Sequence, residues 1–183
     1  MNLRKLLGGR PVLECRAPGR KIVMKPSTVT DLQIRPARPE DREGMLTLWE
    51  RSVRATHHFL AASDVVALRP LVAEELAGDT VDWWVLARSG GAPSGFMGLG
   101  QDSVEALFID PDHQRQGGGR RLMAHAQRLL GGSLAVDVNE QNEAALGFYQ
   151  SLGFAVIGRS PLDAGGRPYP ILHLQRPAPA PPR

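Results

Sequence analysis

Hydrophobic positions along this 183-residue chain keep two rhythms from Leu32 onward. Met45, Leu48, Trp49 and Val53 recur at helical spacing, which predicts a first helix with one buried face reaching about Ala55. Pro39, Glu40 and Asp41 suit its first turn. After the segment Thr56–Ser63, the residues Val65, Val66 and Leu68 resume the pattern. Leu71, Val72 and Leu76 carry it to Ala77, where Gly78 stops it, and Pro70 predicts a bend or restart within it. Leu122, Met123, Ala126, Leu129 and Leu130 form the stripe of a third helix ending at Gly131 and Gly132. Ala145, Phe148, Tyr149 and Leu152 mark a fourth, capped by Asn139 or Asn142 and closed by Gly153. Gly147, inside that helix, suggests that something packs close.

Short apolar runs predict strands at Leu32–Arg35, Trp83–Arg88, Gly95–Leu99, Val104–Ile109, Leu134–Val138, Phe154–Gly158 and Ile171–Gln175. Turns rich in Gly, Pro and Ser make the second to fourth of these an antiparallel meander. The expected fold is α+β: an α/β sandwich around one mixed, mostly antiparallel sheet of about seven strands, with about four helices.

Composition sets the domain limits. Residues 1–31 lack periodicity and carry Gly8, Gly9, Pro11, Pro18, Gly19 and Pro26, so they read as a disordered extension; residues 177–183 read as a Pro/Ala-rich tail. The expected domain is 32–176. Residues 1–30 hold seven basic residues against Glu14, a net +6, which leaves −3 for the remainder. The high pI therefore belongs to the extension, and without an aromatic platform or recognition helix it does not imply a nucleic-acid partner. No run approaches the roughly 20 apolar residues of a membrane span, so no membrane partner and a cytoplasmic location are expected. Cys15 is the one cysteine and no Cys/His spacing suggests a metal site.

The chemistry concentrates in Ser103–Leu130. A strand, a turn at Asp110 and Pro111, and three glycines lead into a helix, so free backbone N–H groups and the positive end of a helix dipole meet at one point. That is an anion site for a phosphate. A Walker A loop fails, because Gly119 is followed by Arg120 and Arg121 rather than Lys and Ser or Thr. A Rossmann fingerprint matches only at Gly117 and Gly119; position 122 is Leu, although Asp137 sits where a ribose-binding acid would. Gln114, Gly117 and Gly119, standing as Q-x-x-G-x-G after a strand ending in Ile109, resemble the central motif of the GNAT superfamily of N-acetyltransferases. Asn139–Asn142, Ala145, Phe148, Tyr149 and Leu152–Phe154 resemble its second acetyl-CoA segment. The likeness spans about Leu32–Gln175. RSVRATHHFL from Arg51, ALFIDPD, VNEQNEAALGFY and GRPYP together look most like its bacterial YjaB-type branch.

This resemblance implies acetyl transfer from acetyl-CoA to a primary amine by direct attack in a ternary complex, with no metal. The backbone of Leu107, Phe108 and Ile109 is implied to meet the pantetheine arm. Gln114, Arg115, Gln116, Gly117, Gly118, Gly119 and Arg120 are implied to cradle the pyrophosphate. Arg115, Arg120 and Arg121 either add charge there or solvate a helix face. Tyr149 matches the family's proton donor for the leaving thiolate, whereas by spacing alone it reads as a core residue. Glu105 is a candidate general base or a solvent-facing carboxylate. Asn139 and Asn142 are cofactor contacts, helix caps, or both. His57 and His58 are the other candidate bases and lie in the segment resembling the acceptor wall, and Trp84 is either core or a border of that site. The acceptor is a small-molecule or peptide amine and the protein a monomer or homodimer. A non-catalytic acyl-CoA-binding module on the same fold is the alternative.

Overall fold

The structure is a computed structural model, and it describes residues 32–178. The basic extension and residues 179–183 of the tail lie outside the described residues, as does Cys15. Among the described residues the chain forms a seven-stranded sheet in the order β1-β2-β3-β4-β5-β7-β6 and four helices. Strands β1 (Leu32–Pro36), β2 (Asp82–Arg88), β3 (Pro93–Leu99) and β4 (Ser103–Ile109) pair antiparallel in sequence order. Strands β5 (Leu134–Asn139), β7 (Ile171–Arg176) and β6 (Ala155–Ser160) form a second antiparallel set.

The two sets meet at β4 and β5, the one parallel pair, and their register holds for only two positions, Ser103 with Ala135 and Val104 with Val136. Beyond Val104 the strands part, and no strand lies along the β5 side of β4 from Glu105 to Ile109 among the described residues. A bulge sits at the fork. Gly98 faces Ala106 and Leu99 faces Val104, so Glu105 is the extra residue of β4. The bulge reverses the sense of the alternation: Val104 packs into one core, Ala106 and Phe108 into the other.

Those two cores lie on opposite faces of the sheet. Helices α1 (Arg42–Thr56) and α2 (Ala62–Ala77) bury Met45, Leu48, Trp49, Val53, Leu68 and Leu76 against Val85, Phe96 and Phe108. Helices α3 (Gly118–Leu130) and α4 (Glu143–Gln150) cover the other face, where Leu122, Met123, Ala126 and Tyr149 meet Leu86, Met97, Val136, Val138, Leu172 and Leu174. The helix does not restart at Pro70: α2 runs through it. Pro70 and Val66 are both exposed, so the carbonyl four residues before the proline faces water instead of an empty interior. Gly147 also differs from expectation, since a Cβ there would meet nothing within 4 Å.

Candidate functional site

The site grows out of the fork between β4 and β5. At the foot of β4, Asp110 is buried and organises the turn: it accepts from the Asp112 amide at 3.0 Å and from Arg51 of α1 at 2.6 Å, while Arg51 also reaches Asp112 at 2.8 Å. This Arg51–Asp110 tie fixes the glycine loop to α1, and sequence reading missed it because its partners lie 59 residues apart. Arg115 (φ 58°) and Gly117 (φ 83°) then take left-handed backbone. Such reversals turn successive amides toward one side, the concave arrangement that binds anions. The backbone N–H groups of residues 115–120 donate to no described residue, and Gly117 caps α3 without any side-chain bond.

The three glycines are required for three different reasons. Gly117 supplies the positive φ, with open space where a Cβ would be. Gly118 lets α3 start against the sheet, since a Cβ would meet Leu86 Cδ2 at 3.0 Å and Ile109 Cδ1 at 3.3 Å. Gly119 does the same against α4, where the Phe148 ring stands 3.1 Å away. Of the arginines, Arg120 donates to Ser151 Oγ at 3.0 Å and Arg121 to the Leu32 carbonyl, so both hold α3 to neighbouring segments. Gln116 donates to the Asp112 carbonyl at 3.2 Å. Along β4, Phe108 points into the α1/α2 core against Phe96, and Leu107 and Ile109 point under α3.

Tyr149, on the inner face of α4, is 2% exposed and rings edge-on with Phe148 and Phe154. Burial pushes its phenol well above the ordinary value, so it stays protonated, and the described residues offer its hydroxyl no hydrogen bond. Asn139 ends β5 with its side chain buried and Oδ1 unpartnered. Asn142, not Asn139, caps α4, accepting from the Ala145 amide at 3.1 Å. Glu105 is half-buried at the bulge, where its Oε1 accepts from Ser103 Oγ at 2.6 Å.

The α1–α2 segment forms the opposite wall. Thr56 Oγ1 donates to the Ser52 carbonyl, so it accepts from His57 Nδ1, both at 2.8 Å. That leaves the His57 Nε2 lone pair facing the Asn142 amide nitrogen at 3.4 Å. His57 is therefore a neutral bridge between the end of α1 and the start of α4. Its ring stands beside Phe59, Phe59 beside Tyr169 of the β6–β7 loop, and Tyr169 donates to Asp64 of α2 at 2.5 Å. His58 is exposed. Trp84 is not brought to this wall: it lies on the α3 face of β2 and meets the His125 ring at a tilt, 4.5 Å between centroids. Alternation along β2 sends Trp83 to the α1/α2 side instead.

Burial holds the His57 pKa down to about 3. Below about pH 6.5 the unfolded chain binds a proton that the folded chain refuses, so stability falls as pH falls. Between pH 7 and 5 this group alone removes about 2 kcal/mol. Urea unfolding at the two pH values measures the loss, and His57→Gln is expected to abolish that part of it.

The profile of the acetyltransferase (GNAT) domain matches residues 79–156. Peptidyl-lysine N-acetyltransferase YjaB of Salmonella typhimurium is 44% identical over 143 residues, 78% of this chain and 97% of that protein. The solution structure of apo-form YjaB from Escherichia coli superposes with a TM-score of 0.74 and 43% identity, covering 79% of this chain and 97% of that one. The PaiA N-acetyltransferase from Thermoplasma acidophilum, solved in complex with coenzyme A, shares the fold at 15% identity and a TM-score of 0.65, covering 80% of this chain and 99% of that one. The six open amides, the forked strands and these likenesses converge: the chain belongs to the GNAT family of acetyl-CoA-dependent N-acetyltransferases.

Proposed function

We propose that the acceptor is the ε-amine of a lysine in a peptide or protein. The observation that carries this reading is the 44% identity, over 97% of its length, to a protein named peptidyl-lysine N-acetyltransferase. Acidic groups beside the fork, Glu105 and Asp137, suit a cationic side chain, and the reading places the reaction in the cytoplasm.

Acetyl-CoA supplies the reactive thioester. The chain's own residues do the rest. The amides of Arg115–Arg120 hold the pyrophosphate, the helix dipole of α3 adding to their pull, with Gln114 and Gln116 at the loop's edge. The backbone of Leu107–Ile109, without a strand on its β5 side, is available to the pantetheine arm. Asn139, with an unsatisfied buried oxygen, and Asn142 face the same arm, and Tyr149 gives its proton to the departing thiolate. His57 and Phe59 line the acceptor wall. Glu105 contributes negative charge at the bulge.

The test is thiol release from acetyl-CoA with a lysine-containing peptide, and mass spectrometry of the product. A mass increase of one acetyl group on the lysine is expected. Coenzyme A binding without transfer to any amine would favour a binding module instead.

A further inference from the structure

The distribution of lysine divides the chain. Its three lysines, Lys5, Lys21 and Lys25, all fall in residues 1–31, and residues 32–183 hold fifteen arginines and no lysine. Geometry demands some of those arginines. Arg35 and Arg159 each clasp a carboxylate with two nitrogens, on Asp41 and Glu140, and Arg51 spans Asp110 and Asp112, a fork that an ammonium lacks. Others are not so bound: Arg42 and Arg88 are exposed and pair with no carboxylate among the described residues, so a lysine would serve there equally. An enzyme acting on lysine therefore finds no ε-amine on its own folded body and three on the segment joined to it.

That segment joins the body beside the glycine loop. Leu32 opens β1, and its carbonyl accepts from Arg121, two residues beyond Gly119 in the first turn of α3. In register, Leu32 faces Arg88, Leu86 faces Gly95 and Gly95 faces Ile109, so the start of β1 lies at the same end of the sheet as the foot of β4. The bulge at Glu105 lies three strand spacings across the sheet, about 14 Å, and about 20 Å along it, roughly 25 Å in all. Lys25 stands seven positions ahead of Leu32, Lys21 eleven and Lys5 twenty-seven. At no more than about 3.5 Å per residue, the first of these spacers spans at most about 25 Å and the second about 38 Å. Lys25 has no slack to travel round the body to the acceptor wall; Lys21 and Lys5 have it.

Charge favours the same meeting. Residues 1–30 carry a net +6 and the remainder −3, with Glu105 and Asp137 beside the fork, so the extension is drawn to the body.

We propose that the enzyme acetylates its own N-terminal extension in cis, with Lys21 the first acceptor, Lys5 the second and Lys25 the slowest. This rests on the reading of the acceptor as a peptidyl lysine. The ε-ammonium gives one proton to water, and the free amine attacks the thioester carbonyl. A C–N bond forms as the C–S bond breaks, the thiolate leaves with the proton from Tyr149, and the amide nitrogen sheds its second proton to water. Each transfer leaves an amide where a cation stood, so three take the whole chain from a net +3 to zero. Tethering frees the rate from protein concentration, and the effective concentration of a tethered group falls as the spacer lengthens, which ranks Lys21 above Lys5.

The test uses the full chain, cleared of prior acetyl groups by a lysine deacetylase, with isotopically labelled acetyl-CoA and no other acceptor. Mass mapping is expected to find label on Lys21 first, with a rate constant unchanged across about tenfold dilution of the protein. Lys21→Arg keeps the charge and should remove most of the early label. The triple variant Lys5→Arg, Lys21→Arg, Lys25→Arg should still acetylate a separate lysine-containing peptide, because the extension is substrate and not machinery. Excess coenzyme A, which fills the cofactor loop without carrying acetyl, should suppress labelling; label that it leaves unchanged is spontaneous and overturns the proposal. So does a rate constant that falls with dilution, label confined to the N-terminal α-amine or to Lys25, or no label on a protein that acetylates the separate peptide. The last of these leaves the peptidyl-lysine reading standing. Failure to label any lysine, tethered or separate, overturns both.

Discussion

Tyr149→Phe is expected to lower the rate of acetyl transfer about 100-fold while leaving coenzyme A affinity within about twofold, because the phenyl ring still fills the core. Two features of the residue make this a sharp experiment. Its phenol is protonated at neutral pH even at the ordinary value, and burial raises it further. Its hydroxyl also makes no hydrogen bond to any described residue, so removing it leaves no partner stranded. Thermal stability should therefore stay level or rise as activity falls. Steady-state kinetics with calorimetry for the cofactor, and a melting curve for each protein, give the three readings. A variant that loses stability and activity in proportion would mark Tyr149 as a core residue only.

Gly117→Val is the second substitution with a large expected effect, and it acts through the backbone alone. No atom lies within 4 Å of the new Cβ, so nothing clashes, but a φ of 83° is one that a β-branched residue resists. The strain, about 1–2 kcal/mol, is relieved by reshaping the loop, and the amides of residues 115–120 then no longer converge. KM for acetyl-CoA should rise at least about tenfold, with a smaller change in kcat at saturation. Gly117→Asn provides the control, since Asn tolerates left-handed backbone. It should retain most of the affinity if conformation, rather than the absence of a side chain, is what the position demands.

Local patterns were legible and distant meetings were not. The stripes Met45–Val53 and Leu122–Leu130 named their helices because a helix repeats within a few residues. The glycine loop was equally local, down to Gln114, Gly117 and Gly119. At Pro70 the sequence shows the lost backbone donor but not whether the freed carbonyl of Val66 reaches water, which packing decides. Trp84 could be counted as one face of β2, but not assigned to α3 rather than α1, since layer order is a tertiary fact. The bulge at Glu105 left only an acid in an apolar strand as its signature. His57 with Asn142, 85 positions apart, and Asp137 with His173, 36 apart, had no spacing to betray them. By sequence Asp137 imitates a ribose-binding acid; in the fold it pairs with His173.

The contacts around the acceptor wall bear on how such an enzyme can change its substrate. His57 docks on Asn142 and Asp64 on Tyr169, so the α1–α2 segment, the start of α4 and the β6–β7 loop were fitted to one another. A chimera that imports only the α1–α2 segment from a relative would leave Asn142 and Tyr169 facing strangers. New acceptor preference should therefore be transplanted as three pieces together, and single-segment exchanges should yield proteins that still hold coenzyme A but acetylate little.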